Sequence, residues 1–398
     1  MNNRGFCQIV LLCAVMLLST FNTWAAVQYK ELHAFHNHPA NFPCSTLIRD
    51  SEGNLFGTTC ADSNHQAGVV YELTPSSGGG WTYHVLHVFT VADGQEPMGK
   101  LLLDGHGNLY GTTYQGGRHG CGTVYTLSPV GGGRWKAKTL HNFNYTDGCG
   151  SDGGLAMDAQ GNLYGATHNG GTYDEGVAYV LRPGRTAWAE TVLHDFPGSE
   201  GVGVQTGVLF DRQGNLYGAT ESEVFVLSRD SRGRWTESIA YTFNPADGGN
   251  IYGDLIFDDK GNLYGCNSAG GADGAGTVFR LSQDSKGNWM STVLTDFSGG
   301  RYGAGPYSGV AVDSNGTVYG TTSQGGTGGQ GVLFKLVPVR HGKWTRSLLH
   351  SFTGGRDGGA PGGVILNESS TLHGIAGTGG LQSCRGGYGC GVVFELKP

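Results

Sequence analysis

The sequence predicts an all-β fold, a seven-bladed β-propeller of four-stranded blades, and three observations support this prediction. A motif of the form Gly-Asn-Leu-Tyr-Gly-Thr-Thr recurs seven times, in weaker form in the last two repeats, at intervals of 54, 54, 53, 47, 55 and 54 residues. Each repeat contains short β-prone runs, four in every repeat except the last. The last repeat lacks the fourth run, and a matching run occurs near the start of the chain. Four strands in a repeat of this length are typical of a propeller blade.

The second repeat defines the strands of a blade. Its β-prone runs are Lys100–Asp104, Asn108–Thr113, Gly122–Leu127 and Trp135–Phe143, which we call strands a, b, c and d. Strands a and b are joined by an Asp-x-x-Gly-Asn segment, in which Asp favours a type I turn and Gly supplies a positive φ. We therefore expect tight a–b and c–d turns at one end of each blade and the b–c and d–a loops at the other end.

The two ends of the chain predict how the ring closes. The seventh repeat stops after Gly391–Leu396, which corresponds to strand c. Its missing strand d is supplied by Val27–Phe35, whose Leu-His-Ala-Phe ending matches the Leu-His-Val-Phe of strand d in the first repeat. An N-terminal strand that completes the last blade removes an exposed sheet edge, so we expect the ring to be closed in this way.

Charge and the N-terminal segment indicate an exported protein that binds no nucleic acid. The net charge is −7, from 25 basic and 32 acidic residues, with no basic patch that would bind phosphates. Residues 1–25 have the pattern of a secretory signal peptide, with Arg4, the apolar run Ile9–Leu18 and a small residue, Ala25, before the expected cleavage site. Residues 26–398 then form a single seven-bladed propeller domain. We find no membrane span or anchor signal and expect a secreted or periplasmic monomer.

Seven cysteines follow the expected cleavage site, and an oxidising compartment favours disulfides. The blade layout brings six of them together in pairs at the end of the blades that carries the b–c and d–a loops. The predicted disulfides are Cys44–Cys60, Cys121–Cys149 and Cys384–Cys390. Cys266 lies inside a strand b and is predicted to be a buried thiol.

The repeat resembles a known bacterial family. The sequence Asp-x-x-Gly-Asn-Leu-Tyr-Gly-Thr-Thr, followed by Gly-Gly and then by Gly-Thr-Val-Tyr-x-Leu, is similar to the tandem repeat called the Gloeo-Verruco (GloVer) repeat. The resemblance covers essentially the whole chain after the signal peptide. It implies a secreted bacterial propeller, and it transfers no catalytic residues to this sequence.

Five histidines occupy the same position of strand d in different repeats. They are His33, His87, His141, His194 and His350. A catalytic site needs one such residue rather than a ring of them on the outermost strand, and ligands on separate blades do not converge on a metal. We therefore predict a structural role for these side chains.

The face that carries the b–c and d–a loops is the predicted functional face, because its loops vary while the turns at the other end are regular. The residue after Gly-Thr-Thr is Tyr114, His168 and Glu221 in three neighbouring blades. A His and a Tyr as acid and base, with Arg118 neutralising a carboxylate, would suit β-elimination on a uronic-acid polysaccharide. Tyr114, His168 and Glu221 are thus candidate catalytic residues, and the alternative is that they are ordinary polar residues at the base of the loops.

Aromatic and basic residues of the same loops are candidate ligand contacts, because sugar rings stack on aromatic side chains. They are Arg118, His119, Tyr145, Tyr173, Tyr252, Arg301, Tyr302, Arg356 and Tyr388. Three functions stay open: a propeller that binds an extracellular glycan or other ligand, which we place first, a polysaccharide lyase or glycosidase, and a scaffold for an extracellular protein partner. No cofactor or metal site is predicted, and a calcium ion in the central channel is a further hypothesis.

Overall fold

The computed structural model describes residues 27–36, 41–60, 67–197, 203–244, 246–381, 384 and 387–398. The predicted signal peptide and its cleavage site lie outside these residues. The described chain forms seven four-stranded antiparallel sheets, together with two short 3-10 turns at Gly300–Tyr302 and Arg340–Gly342. The predicted all-β, seven-bladed propeller is therefore confirmed.

Each sheet is one blade, and its strands a to d follow one another from the channel outwards. Blades 1 and 2 contain β2 (Ile48–Arg49), β3 (Leu55–Thr59), β4 (Val69–Pro75), β5 (Trp81–Val88), β6 (Leu102–Leu103), β7 (Leu109–Thr113), β8 (Thr123–Pro129) and β9 (Trp135–Asn142). Blades 3 and 4 contain β10 (Ala156–Met157), β11 (Leu163–Ala166), β12 (Val177–Pro183), β13 (Trp188–Asp195), β14 (Leu209–Phe210), β15 (Leu216–Ala219), β16 (Glu223–Arg229) and β17 (Trp235–Thr242). Blades 5 and 6 contain β18 (Gly249–Phe257), β19 (Leu263–Ala269), β20 (Thr277–Gln283), β21 (Trp289–Asp296), β22 (Ala311–Val312), β23 (Val318–Thr322), β24 (Val332–Pro338) and β25 (Trp344–Ser351). Blade 7 contains β26 (Gly359–Leu366), β27 (Leu372–Thr378), β28 (Val392–Lys397) and β1 (Gln28–Ala34).

Strand a has only two residues in five blades. In blade 2 the sequence predicts Lys100–Asp104, whereas β6 covers Leu102–Leu103. The reason is crowding around the channel: a Cβ atom at Gly99 would lie 2.5 Å from the carbonyl oxygen of Gly153 in the next blade. The residues before β6 therefore pack on the neighbouring backbone instead of extending the ladder.

The N-terminal strand closes the ring as the sequence predicts. Strand β1 pairs antiparallel with β28, from Gln28 opposite Lys397 to Ala34 opposite Val392. The next residue, Phe35, is fully buried, and its backbone N–H donates to the carbonyl oxygen of Gly391 (3.0 Å). Its ring packs edge-on against Tyr71 of blade 1, with centroids 5.2 Å apart. The closing strand is thus held by its own blade and by the first one.

The glycine of strand b has the same neighbour in every blade, an aromatic ring on strand c. In blade 5, Gly265 is the direct cross-strand partner of Phe279, and a Cβ atom at Gly265 would lie 2.5 Å from the Phe279 Cζ atom. The other pairs are Gly57–Tyr71, Gly111–Tyr125, Gly165–Tyr179, Gly218–Phe225, Gly320–Phe334 and Gly374–Phe394. The ring covers the glycine, which explains why the repeat keeps glycine at this position.

We expect Gly265→Ala to lower the free energy of unfolding by about 1–3 kcal/mol, because the added methyl group overpacks the core between Phe279 and Leu255. Urea denaturation followed by tryptophan fluorescence would measure the change. Gly105→Ala is the matched control, since a Cβ atom there meets no atom within 4 Å. Equal stability of the two variants would contradict this interpretation of the repeat glycine.

Three of the strand d histidines, His33, His194 and His350, contact the neighbouring blade. His33 stacks on Tyr83 of the next blade (centroids 4.2 Å apart), and His350 stacks on Tyr29 (4.4 Å). At the same position of other blade pairs, His194 Nε2 lies 3.2 Å from a Glu237 carboxylate oxygen, and Arg346 donates to Thr295 (3.1 Å). The partner lies near the start of strand d in the following blade: it is the third residue of β5, β17 and β25 and the second residue of β1. These side chains therefore connect strand d of one blade to strand d of the next.

Candidate functional site

Seven equivalent residues lie around the central channel, in a region that we call the channel neck. They precede the short strand a in five blades and belong to it in blades 5 and 7. They are Thr46, Lys100, Gly154, Gly207, Asp254, Gly309 and Gly363. Two cavities of about 190 and 260 Å³ in this region both include Lys100 and Asp254. A Cβ atom at Gly207 would lie 2.6 Å from Asp254 Oδ1, so glycine makes room for this carboxylate. The neck combines one basic and one acidic side chain with an otherwise small lining.

Asp152 lies two residues before Gly154, towards the end of blade 3 that carries the b–c and d–a loops. Burial, together with the nearby carboxylate of Asp254, raises the pKa of Asp152 to about 7. At neutral pH this side chain is therefore present both as the acid and as the carboxylate. A carboxyl group that is shifted in this way in a concave region is a candidate functional group.

Two tyrosines of blades 5 and 6 occupy the positions equivalent to Asp152. The rings of Tyr252 and Tyr307 meet edge to face, with centroids 5.5 Å apart and an interplanar angle of 68°. They are 37% and 51% exposed, so their faces are available to a ligand. Burial raises the pKa of Tyr252, and the charges of Asp152 and Glu221 act in the same direction.

Tyr114 belongs to the same region. Its ring lies over the backbone of Gly150, where a Cβ atom would be 2.8 Å from Tyr114 Cε2. Burial raises the pKa of Tyr114, and the charge of Asp152 contributes to this shift. We call the group of Tyr114, Asp152, Glu221, Tyr252 and Tyr307 the channel mouth.

Of the three candidate catalytic residues, the structure places Tyr114 and Glu221 at the channel mouth and turns His168 towards blade 4. A Cβ atom at Gly203 would lie 3.1 Å from His168 Cγ, so the imidazole packs on this backbone. Burial lowers the pKa of His168, and the charge of Glu175 opposes this effect. The ring therefore favours the neutral form. Glu221 occupies the short connection between β15 and β16, where its carbonyl oxygen accepts from Ile251 (3.1 Å).

The candidate contacts of blades 2 and 3 lie near the outer edge of the blades. The backbone N–H of Arg118 donates to Asn142 Oδ1 (2.8 Å), on the outermost strand β9, and Arg118 and His119 are exposed. Tyr145, which is 47% exposed, lies next to Asp174 of the following loop, and Tyr173 is 58% exposed. The structure does not bring Arg118 to Tyr114.

Among the candidate contacts of blades 6 and 7, Arg301 and Tyr302 lie away from the channel. The Tyr302 ring contacts two guanidinium groups, with the Cζ atom of Arg301 4.5 Å and that of Arg346 4.8 Å from its centroid. Arg346 belongs to the outermost strand β25, which fixes this cluster at the outer wall. Arg356 is exposed in a d–a loop, and Tyr388 is 74% exposed.

The disulfides lie at the loop end of the blades, and the pairings are those that the sequence predicts. They are Cys44–Cys60, Cys121–Cys149 and Cys384–Cys390. The second disulfide joins the residues before β8 to the d–a loop that follows β9. In that loop Gly150 lies under the Tyr114 ring, and its backbone N–H donates to the carbonyl oxygen of Cys121 (3.0 Å). Cys266 is buried, and burial raises the pKa of its thiol to about 12. The three disulfides are compatible with an extracellular or periplasmic protein.

Neither a cluster of metal ligands nor a membrane-spanning helix is found among the residues that the structure describes. Among those residues, no group of three or more His, Cys, Asp and Glu side chains is arranged to hold a metal ion. At the channel neck the carboxylate of Asp254 shares its cavities with the Lys100 ammonium, which opposes a bound cation. No helix within the described part of the chain is long and apolar enough to cross a membrane.

Sequence reasoning missed Asp152, Lys100 and Asp254. A signal for the last two was present, because the other blades have Gly or Thr at the equivalent position. A search for residues that differ from the repeat at positions facing the channel would have identified Lys100 and Asp254. Asp152 was hidden in a variable d–a loop, whose distance from the channel the sequence does not give.

Comparison with known proteins identifies the family. The family model of the Gloeobacter/Verrucomicrobia repeat matches residues 20–225 and 225–394, which is nearly the whole chain. The chain belongs to the Gloeobacter/Verrucomicrobia repeat family. Comparison with curated proteins gives no match to the sequence.

Solved structures of other proteins share the propeller fold with this member of the Gloeobacter/Verrucomicrobia repeat family. A streptogramin B lyase has 13% identity and a TM-score of 0.58, over 94% of this chain and 98% of that chain. Virginiamycin B lyase from Staphylococcus aureus has 11% identity and a TM-score of 0.57, over 94% and 99%. A protein from Lactobacillus plantarum has 16% identity and a TM-score of 0.57, over 87% and 99%. At these identities the likeness concerns the fold alone.

Proposed function

We propose that the protein binds a neutral carbohydrate at the channel mouth, on the face of the b–c and d–a loops. The observation that supports this most strongly is the exposed pair Tyr252 and Tyr307, whose rings meet beside the carboxyl group of Asp152. Tyrosine rings offer faces on which a sugar ring can stack, and a carboxyl group can accept hydrogen bonds from sugar hydroxyls. When protonated, Asp152 can also donate one.

The charges at the mouth favour a neutral sugar over an acidic one. The ionisable groups there are Asp152, Glu221 and the tyrosines, all of which become negative when they lose a proton. A uronate would meet these carboxylates, while Arg118, which could neutralise it, lies at the outer edge of blade 2. A lyase acting on an acidic polysaccharide is therefore less well supported than binding of a neutral glycan.

A glycosidase is the second candidate function, and the pKa of Asp152 favours it. A carboxyl group that titrates near pH 7 can act as a general acid or base at neutral pH. Glu221 would be the second carboxyl group that such hydrolysis requires. This enzyme would use the same mouth, so one set of variants tests both candidates.

Calorimetric titration of the protein with neutral hexasaccharides (cellohexaose, xylohexaose and maltohexaose) tests the proposal. We expect at least one to bind, and Tyr252→Ala and Tyr307→Ala each to weaken binding by roughly tenfold or more, because the stacking surface is lost. Tyr173→Ala is the matched control, since this tyrosine is 58% exposed near the outer edge of blade 3. New reducing ends during the titration would establish the glycosidase. An equal loss of affinity in the Tyr173 variant would overturn the proposal. The absence of binding of any hexasaccharide would also overturn it and would favour a protein partner.

Export of the protein belongs to the same proposal. The disulfides and the signal-peptide pattern of residues 1–25 support a secreted or periplasmic location, with residues 26–398 as the mature propeller. N-terminal sequencing of the exported protein would test it, and the expected first residue is Ala26. Retention of residues 1–25 in an intracellular product would contradict it.

A further inference from the structure

We propose that the channel mouth takes the end of a sugar chain rather than an internal segment, with the terminal sugar bound by Lys100 and Asp254 of the channel neck. This inference rests on the proposed function, because it concerns how the same glycan enters the site. The tyrosine rings of the mouth would stack on the sugars that follow the terminal one, and the neck would form the floor of the site.

The side chains of Lys100 and Asp254 meet beside the segment of blade 3 that carries Asp152. A Cβ atom at Gly154, two residues after Asp152, would lie 3.4 Å from Lys100 Cβ and 3.5 Å from Asp254 Oδ1. The charge of Asp254 also acts on the Asp152 carboxyl group. The neck and the mouth are therefore adjoining parts of one concave region.

The charged groups of Lys100 and Asp254 are available to a ligand. Within the described part of the chain, neither side chain takes part in a hydrogen bond or an ion pair. An ammonium group donates hydrogen bonds and a carboxylate accepts them, while the hydroxyl groups of a terminal sugar can do both. The two opposite charges balance each other, which suits a neutral sugar.

Beyond the neck, towards the a–b turns, the channel becomes aliphatic. Apart from Thr46, Lys100, Asp254 and the glycines, every described residue that lines the two cavities of the neck is Leu, Ile, Val or Ala. The change occurs at Leu102 and Ile256, two residues after Lys100 and Asp254. A sugar hydroxyl group that moved past the neck would lose its hydrogen bonds to water and find no partner in this lining. We therefore expect a sugar chain to stop at the neck.

The wall of the neck gives the chain no way out between the blades. The backbones of neighbouring blades are in contact there: a Cβ atom at Gly207 would lie 2.6 Å from the backbone nitrogen of Gly154, and one at Gly309 would meet the carbonyl oxygen of Asp254. A chain that reaches the neck from the mouth thus ends there. An internal segment would lie across the mouth and leave the Lys100 ammonium group without a ligand.

Calorimetric titration of the full chain with unblocked and end-blocked hexasaccharides tests the inference. Cellohexaose, xylohexaose and maltohexaose would each be compared with a form that carries a bulky, uncharged tris(hydroxymethyl)methylamide group at both ends. We expect at least one unblocked hexasaccharide to bind roughly tenfold or more tightly than its end-blocked form. A site for internal segments would leave both ends in solvent, so equal affinity of the two forms would overturn the inference.

Variants of the neck test which side chains bind the terminal sugar. Lys100→Met and Asp254→Ala should each weaken binding of the unblocked hexasaccharide by roughly tenfold or more, and so narrow its advantage over the end-blocked form. Lys260→Met is the matched control, since it removes an exposed cation from the a–b turn of blade 5 and should keep the wild-type affinity. Urea denaturation would establish that the variants fold. Wild-type affinity in both neck variants would overturn the inference.

The results distinguish this inference from the proposed function. If an unblocked hexasaccharide binds and Tyr252→Ala weakens it, but the end-blocked form binds as tightly, the mouth binds glycans along their length and only the inference about chain ends fails. If no hexasaccharide binds in either form, both proposals fail.

Discussion

Replacing Phe35 with alanine is expected to lower the free energy of unfolding by about 3–5 kcal/mol, because a fully buried ring is lost from the contact that closes the propeller. Phe35 follows the closing strand β1 and packs against Tyr71 of the first blade. The substitution therefore leaves a cavity and loosens the attachment of the last blade to the first. Equilibrium denaturation in urea measures the effect.

Val88→Ala provides the control for this prediction. Val88 ends strand β5 in blade 1 and is 50% exposed, so its loss should change stability by less than about 0.5 kcal/mol. If Phe35→Ala and Val88→Ala unfold at the same urea concentration, the junction of blades 7 and 1 does not limit stability. The account of ring closure would then be wrong.

Replacing Asp152 with asparagine is expected to stabilise the protein by about 2–4 kcal/mol at pH 8 and to abolish ligand binding at the mouth. The pKa of Asp152 is about 7 in the folded chain, against an ordinary value of 3.8. Between these values the folded state holds a proton that the unfolded state has released. Stability of the wild type therefore falls as pH rises from about 4 to 7, and the asparagine variant avoids this loss. Urea denaturation at pH 5 and pH 8 would measure both variants.

Glu190→Gln separates the expected effect on stability from the expected effect on ligand binding. Burial, together with the charge of Asp147, raises the pKa of Glu190 to about 7, but Glu190 lies on the outer strand β13. We therefore expect this variant to gain stability at pH 8 as Asp152→Asn does, while it keeps ligand affinity. If Asp152→Asn binds ligand as tightly as the wild type, Asp152 has no part in the site.

The fold was predictable because its determinants are local and repeated seven times. The Asp-x-x-Gly-Asn turn appears in the structure as Asp104 accepting from the backbone N–H groups of His106 and Asn108, both at 2.8 Å. Closure of the ring by β1 was predictable because the last repeat has only three strands and the N-terminal segment matches the missing fourth one. The length of strand a was not predictable, because it depends on how closely Gly99 approaches the backbone of the next blade.

The candidate site was only partly predictable, because it depends on contacts between blades. The loop face and the residues Tyr114, Glu221 and Tyr252 could be named from their positions in the repeat. The course of the Arg118 loop could not, since it is set by a hydrogen bond from the Arg118 backbone to Asn142, 24 residues away in sequence. The role of Asp152 likewise depends on Asp254, which lies two blades further round the ring.

The most direct test of the channel mouth is a carbon-13 NMR titration of the Asp152 carboxyl group in the whole protein, with Asp152→Asn used for assignment. The predicted result is an apparent pKa of about 7 in the free protein and a different value when the bound hexasaccharide is present. An apparent pKa near the ordinary value for aspartate, unchanged by the sugar, would contradict the proposal that this carboxyl group is the centre of the binding site.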